Sequence, residues 1–145
     1  MERREALKSA GLIAVAAMAS RSMAADHDHH MHGAGSKFQP LIEAAGTCIQ
    51  KGEACLSHCL MLLGDGDKEM AACAKSVNEM MAICRSLESL ASQGSRYAMA
   101  LAKVAMDSCK SCEDECRKHE NKHAECKACA ESCADCFKQC KALTA

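Results

Sequence analysis

The chain has 145 residues, of which 13 are cysteines, and it contains one Tyr, two Phe and no Trp, which excludes a conventional aromatic-rich core. One Pro and eight Gly argue against an all-β domain, and the abundance of helix-favouring residues predicts a single all-α domain. The formal charge is −1 at pH 7 with both signs interspersed, so no nucleic-acid partner is expected.

The first 24 residues have the features of an export signal. Arg3 and Arg4 form a charged start, residues 10–19 are a short apolar stretch, and residues 22–24 resemble a small-x-small cleavage site. The apolar stretch is too short to span a membrane permanently. We therefore predict a cleaved signal, export from the cytoplasm by the twin-arginine route, and a periplasmic or associated location.

A flexible tail is expected over residues 25–38, which are polar and rich in His and Gly. Cleavage after Ala24 would expose the terminus Ala25-Asp26-His27. Its free amine, two backbone amides and imidazole form a square-planar Cu(II) or Ni(II) site. Cleavage one residue later removes that site, and the alternative is a solvated tail with weak metal affinity.

Four helices are predicted between residue 39 and the C-terminus. Pro40 suits a first helical turn, and the breaks at residues 64–67 and 92–95 pair a helix-ending glycine with a capping residue. Helix length places a third break near Asn121, although no Gly or Pro lies there. The helices are expected over about residues 40–63, 67–91, 96–120 and from the third break to 142. Short connections predict an antiparallel, up-down-up-down four-helix bundle over residues 39–145.

The cysteines recur at steps of three and four residues on the predicted helices, the spacing of core-facing positions in a bundle. Charged residues lie between them and belong on the wet outer face. Every cysteine is therefore expected to line the core and is a candidate metal ligand: Cys48, Cys55, Cys59, Cys73, Cys84, Cys109, Cys112, Cys116, Cys126, Cys129, Cys133, Cys136 and Cys140.

Three interpretations of such a core are open. Cysteine can act as a small hydrophobe, but Leu or Ile would stabilise the core better. A disulfide framework suits an exported protein, yet an odd number cannot pair completely, and neighbouring turns of one helix seldom have disulfide geometry. In the third interpretation, sulfurs on side chains about 5–6 Å apart along a helix converge on a soft metal ion.

Among soft metals, Cu(I) fits the spacing best. Zinc takes four ligands per ion and iron–sulfur cysteines normally come from loops, whereas a continuous ladder within helices has no obvious division into fours. A monovalent ion also neutralises one thiolate at a time, which keeps a filling core near neutral. No pair of cysteines stands apart as a catalytic pair, so we expect a store and not an enzyme.

These residues resemble the exported copper storage proteins. The resemblance covers residues 39–142 and rests on the leader and on cysteine stripes that recur on all four helices. It implies a bundle whose thirteen cysteines store many Cu(I) ions per chain. It also implies a homotetramer that supplies copper to a recipient, either a cuproenzyme such as a membrane methane monooxygenase or a copper chaperone. No membrane span is expected.

The two ends of the predicted bundle differ. The first and third connections share one end, where soft and borderline side chains would bind Cu(I) more weakly than thiolate and so suit an entrance. The residues that meet there are His58, Met61, Met70, His119 and His123, beside Cys59, Cys116 and Cys126. The alternative is that the methionines fill the core and the histidines have no role. The opposite end is expected to be an apolar plug of Leu41, Ile42, Leu87, Leu90, Leu101 and Leu143.

Overall fold

The computed structural model describes residues 37–145, which form four α-helices. The elements in chain order are α1 (Gln39–Gly64), a single 3₁₀ turn (Lys68–Met70), α2 (Ala71–Ser92), α3 (Ala98–Arg117) and α4 (Ala124–Thr144). The expected signal and the candidate terminus Ala25-Asp26-His27 lie outside the described residues. The predicted all-α class is confirmed.

Each helix of the bundle packs against two others. α1 lies against α2 and α4, and α3 lies against the same two helices, while the diagonal pairs make no close backbone contact within residues 37–145. Because successive helices are joined by short connections, neighbours run antiparallel. This is the up-down-up-down arrangement that the sequence predicts.

The first two connections use the turn residues expected for them. Gly66 and Gly94 have φ values of 96° and 63°, a region that favours glycine. Asp67 accepts a hydrogen bond from the backbone N–H of Glu69 at 3.1 Å and so caps the 3₁₀ turn. α2 itself therefore begins at Ala71, later than the sequence predicts.

The third connection forms without glycine or proline. The carbonyl of His119 accepts hydrogen bonds from the backbone N–H groups of Lys122 and His123, each at 3.0 Å, and these bonds close a tight turn. His123 then adopts an extended backbone, with φ −132° and ψ 110°, and becomes the N-cap of α4. The predicted break near Asn121 is confirmed, and α3 ends slightly earlier than expected.

The core is made of cysteines and of a few larger side chains. Met70, Val77, Met80 and Leu87 are the largest fully buried residues apart from the thiols. At the plug end Leu41 is also buried, and four more apolar residues pack against the core: Ile42, Leu90, Leu101 and Leu143. None of the helices in the described part of the chain is long and apolar enough to cross a membrane.

Candidate metal centre

All thirteen cysteines point into the bundle with no solvent exposure, and all are free thiols. α4 carries five of them, α1 and α3 carry three each, and α2 carries two. The Sγ atoms of Cys48 and Cys133 lie 3.5 Å apart. This separation is well beyond the ~2.05 Å of a disulfide bond. The structure therefore shows a core of unpaired thiols, which is the arrangement that metal binding requires.

The thiols form four groups in which all sulfur atoms lie within 4.8 Å of one another. One group, here named the inner cluster, takes one cysteine from each helix: Cys48, Cys84, Cys109 and Cys136. The other three, here named the outer clusters, are Cys55 with Cys59, Cys73 and Cys126; Cys55 with Cys116 and Cys129; and Cys112 with Cys129 and Cys133.

The outer clusters are joined to one another because they share sulfur atoms. Cys55 belongs to two of them, as does Cys129. Cys55 Sγ lies 3.8 Å from Cys126 Sγ and 4.0 Å from Cys116 Sγ. Thiolates that are shared in this way can bridge successive soft ions, which is the geometry of a polynuclear site.

Two of the groups contain four cysteines, a division that the spacing of the cysteines along the chain does not predict. In the inner cluster the four thiols come from four different helices, so their spacing along the chain does not reveal that they meet. Cys140 lies outside all four groups. The other twelve cysteines each belong to at least one group.

Hydrogen bonds between thiols shift their pKa values in opposite directions. Bonds with Cys116 and Cys126, together with burial, raise the pKa of the Cys55 thiol. A bond with Cys116 lowers the pKa of Cys73 to about 4. A thiolate at Cys73 is therefore stabilised by a neighbouring S–H group, while Cys55 stays protonated.

Three predicted imidazoles meet at the end of the bundle formed by the first and third connections. His58 Nε2 lies 2.9 Å from His123 Nδ1, and the ring centroids of His119 and His123 are 6.5 Å apart. The side chain of His58 is 17% exposed, and its Nε2 lies 3.7 Å from Glu125 Oε2. Glu125 could not be predicted from the sequence, because its proximity to His58 depends on the packing of α1 against α4.

The two methionines expected at this end lie in different environments. Met70 is fully buried in the core, whereas Met61 is 57% exposed. His58 directly precedes Cys59, and His123 comes three residues before Cys126. The imidazoles, and not the methionines, therefore flank the outermost cysteines.

A family model described as Csp, copper storage protein, matches residues 34–145. The chain belongs to the copper storage protein family. Membership confirms the predicted function, copper storage through core cysteine thiolates. The role of this family is storage and not catalysis. No curated protein sequence matches the chain at a significant level.

Solved copper storage proteins have the same fold. Apo Csp3 from Bacillus subtilis is 28% identical, with a TM-score of 0.66 over 74% of this chain and 99% of that chain. The Cu(I)-bound form, BsCsp3, is 26% identical, with a TM-score of 0.67 over 75% and 99%. Ccsp from Streptomyces lividans, loaded with 10 copper equivalents, is 25% identical, with a TM-score of 0.67 over 74% and 83%.

The prediction of an exported, periplasmic protein is contradicted by one of these relatives. The Streptomyces lividans protein is described as a cytosolic copper storage protein. The arginine pair and the short apolar stretch that indicated export are a compositional pattern outside the described residues.

Proposed function

We propose that all thirteen core cysteines are the ligands of one polynuclear Cu(I) store. The observation that carries this proposal is that every thiol is free and fully buried, with twelve of them in groups that bring three or four sulfurs together. The store runs along the bundle axis from the outer clusters to the inner cluster. The Cu(I)-bound relative supports this assignment.

The charge of the core favours Cu(I) over a divalent ion. The only buried polar side chain in the described part of the chain is Ser132, so no buried Lys or Arg balances a thiolate there. A Zn(II) ion with four thiolates carries a net charge of −2, whereas one Cu(I) with one thiolate is neutral. Because an uncompensated buried charge costs several kcal/mol, a dry thiol core fills more readily with the monovalent ion.

Zinc is a second candidate for the inner cluster. Its four thiols lie within 4.8 Å of one another, and four cysteines are a set that structural zinc sites use. A competition experiment separates the two metals. We expect Cu(I) added anaerobically to the zinc-treated protein to release all bound zinc, measured with a chromogenic zinc indicator. Zinc that survives an excess of Cu(I) would contradict a continuous copper store.

The end that carries His58 is the proposed entrance for copper. Imidazole binds Cu(I) more weakly than thiolate and can therefore pass an ion inward. The paired His58 and His123 lie beside the outermost cysteines, and the exposed Met61 thioether can capture ions from solvent. The opposite end is closed by packed side chains such as Leu41 and Leu87.

We also propose that the chain has no catalytic activity, that it assembles as a homotetramer, and that it transfers copper to a cuproenzyme or a copper chaperone. Exposed large apolar side chains on the outer surface can supply contact area for further copies of the chain. Among them are Leu60, Tyr97 and Val104. Native mass spectrometry of the full chain tests the assembly: four chains are expected, and a monomer would contradict the proposal.

A further inference from the structure

The thiol core contains a sulfur atom that is not a thiol. Met80 of α2 is fully buried, and its Sδ lies 3.2 Å from the Sγ of Cys48. The Sγ atom of Cys48 also lies 3.5 Å from the Sγ atom of Cys133. The thioether therefore approaches Cys48 more closely than the Cys133 thiol does.

Met80 lies in the part of α2 between Cys73 and Cys84, which contains no cysteine. On α1, Gly52 occupies the inward position between Cys48 and Cys55. On α2, the buried residues between its two cysteines are Ala74, Val77, Met80 and Met81. The sulfur that this part of α2 places against Cys48 is therefore a thioether.

Gly52 leaves the space that the methionines of α2 occupy. A Cβ atom at Gly52 would lie 2.8 Å from Met81 Cγ and 3.0 Å from Met80 Cε. Glycine inside a helix costs about 1 kcal/mol relative to alanine. The missing side chain therefore allows α2 to approach α1 with Met80 packed between the helices, and its sulfur lies against Cys48.

We propose that Met80 is a Cu(I) ligand and that it completes a site with Cys48 and Cys133. The proposal rests on the Cu(I) store and adds a ligand to it. Thioether is a soft ligand that selects Cu(I). It also adds a ligand atom without adding a negative charge, which suits a core without buried cations because buried net charge is costly.

The position of this site connects the two parts of the store. Cys48 belongs to the inner cluster, whereas Cys133 belongs to an outer cluster with Cys112 and Cys129. An ion held by Cys48, Cys133 and Met80 is bound to both parts at once. The thioether site therefore gives copper a step between the outer clusters and the inner cluster.

The test uses selenomethionine-labelled full-length protein loaded anaerobically with Cu(I). Met80→Leu removes the thioether at similar volume, and Met81→Leu is the matched control, a neighbouring buried methionine that also packs against Gly52. Selenium-edge X-ray absorption is expected to show a selenium–copper distance in the unsubstituted protein and in Met81→Leu. We expect this signal to be reduced in Met80→Leu, which should also retain about one ion fewer against a chelator.

A selenium–copper signal that is equal in Met80→Leu and Met81→Leu would overturn the proposal. Circular dichroism checks that both variants remain helical, and Met80→Ile provides a second variant without a thioether if Met80→Leu does not fold. If the unsubstituted protein retains only one or two ions, the store itself has failed. If it retains many ions and the signal does not depend on Met80, only the thioether ligand is refuted.

Discussion

The protonation state of individual thiols determines what copper binding must displace. The Cys55 thiol keeps its proton in the copper-free core, because bonds with Cys116 and Cys126 and burial raise its pKa. A hydrogen bond with Cys116 lowers the pKa of the Cys73 thiol to about 4. Copper therefore meets weaker competition from the proton at Cys73 than at Cys55, where a copper–sulfur bond must release a proton.

Copper loading is therefore expected to acidify a weakly buffered solution. At pH 7 the thiols with raised pKa values are protonated, so we predict release of about one proton for each of these thiols that becomes a copper ligand. Lowering the pH strengthens proton competition at these thiols and so weakens copper binding. A pH-indicator dye, read after each addition of Cu(I) in an anaerobic titration, measures the release of protons. Full loading without acidification would contradict the protonated thiol core.

The His58 entrance predicts a kinetic change without a loss of capacity. We expect the double variant His58→Ala, Met61→Ala to load Cu(I) roughly tenfold more slowly, because the groups that pass ions inward are gone. The number of Cu(I) ions bound at saturation should not change, since every core thiol remains. Stopped-flow transfer from a coloured Cu(I) chelator measures the rate, with the exposed Met99→Ala as a control at the opposite end. Unchanged loading in the double variant would refute the entrance.

Single-residue roles could be predicted where helical spacing alone determines the direction of a side chain. Steps of three and four residues place every cysteine on an inward face, and the structure buries all of them. Glu125 and Met80 could not be assigned in this way. Each acquires its neighbour, His58 and Cys48 respectively, from a different helix.

At the level of helices, the contact between α1 and α2 depends on a missing side chain. Gly52 faces Met80 and Met81 across this contact, and the same two helices are joined on their outer surface by an ion pair between Arg85 and Glu53 at 2.7 Å. Because the two helices meet at a glycine, their separation is set by the methionines that fill the space.

Gly52→Ala is therefore expected to destabilise the copper-free protein by about 1–2 kcal/mol. The added Cβ would lie 2.8 Å from Met81 Cγ, and overpacking of this kind outweighs the gain in helix propensity. Gly46→Ala on the same helix is the control, since its Cβ would meet only the flexible carboxylate of Glu88. Urea unfolding of both variants gives the comparison. A stabilised Gly52→Ala protein would refute the close approach.

Helix ends could be predicted within a few residues, with differences that have local causes. The glycine-containing breaks follow known turn chemistry, and Gly66 and Gly94 have the positive φ values expected. The start of α2 differs because Asp67 caps a 3₁₀ turn before the helix begins. The third break was inferred from length, and hydrogen bonds to the His119 carbonyl form it.

At the scale of the whole bundle, the topology could be predicted but the grouping of the thiols could not. Four similar helices with short connections lead to an up-down-up-down bundle, which is the observed arrangement. The inner cluster depends on how far each helix is shifted along the axis relative to the other three. That shift is determined by core packing across all four helices, so it cannot be predicted from the cysteine spacing within a single helix.

The number of Cu(I) ions retained per chain is the most direct test of the central claim, a continuous Cu(I) store in the thiol core. The measurement is an anaerobic Cu(I) titration of the reduced protein against a chromogenic Cu(I) chelator, with protein quantified by its 13 thiols. Because each Cu(I) ion neutralises one thiolate, the number of bound ions can approach the number of thiolates. We therefore predict that roughly ten or more ions per chain are withheld from the chelator. Retention of only one or two ions would contradict the store.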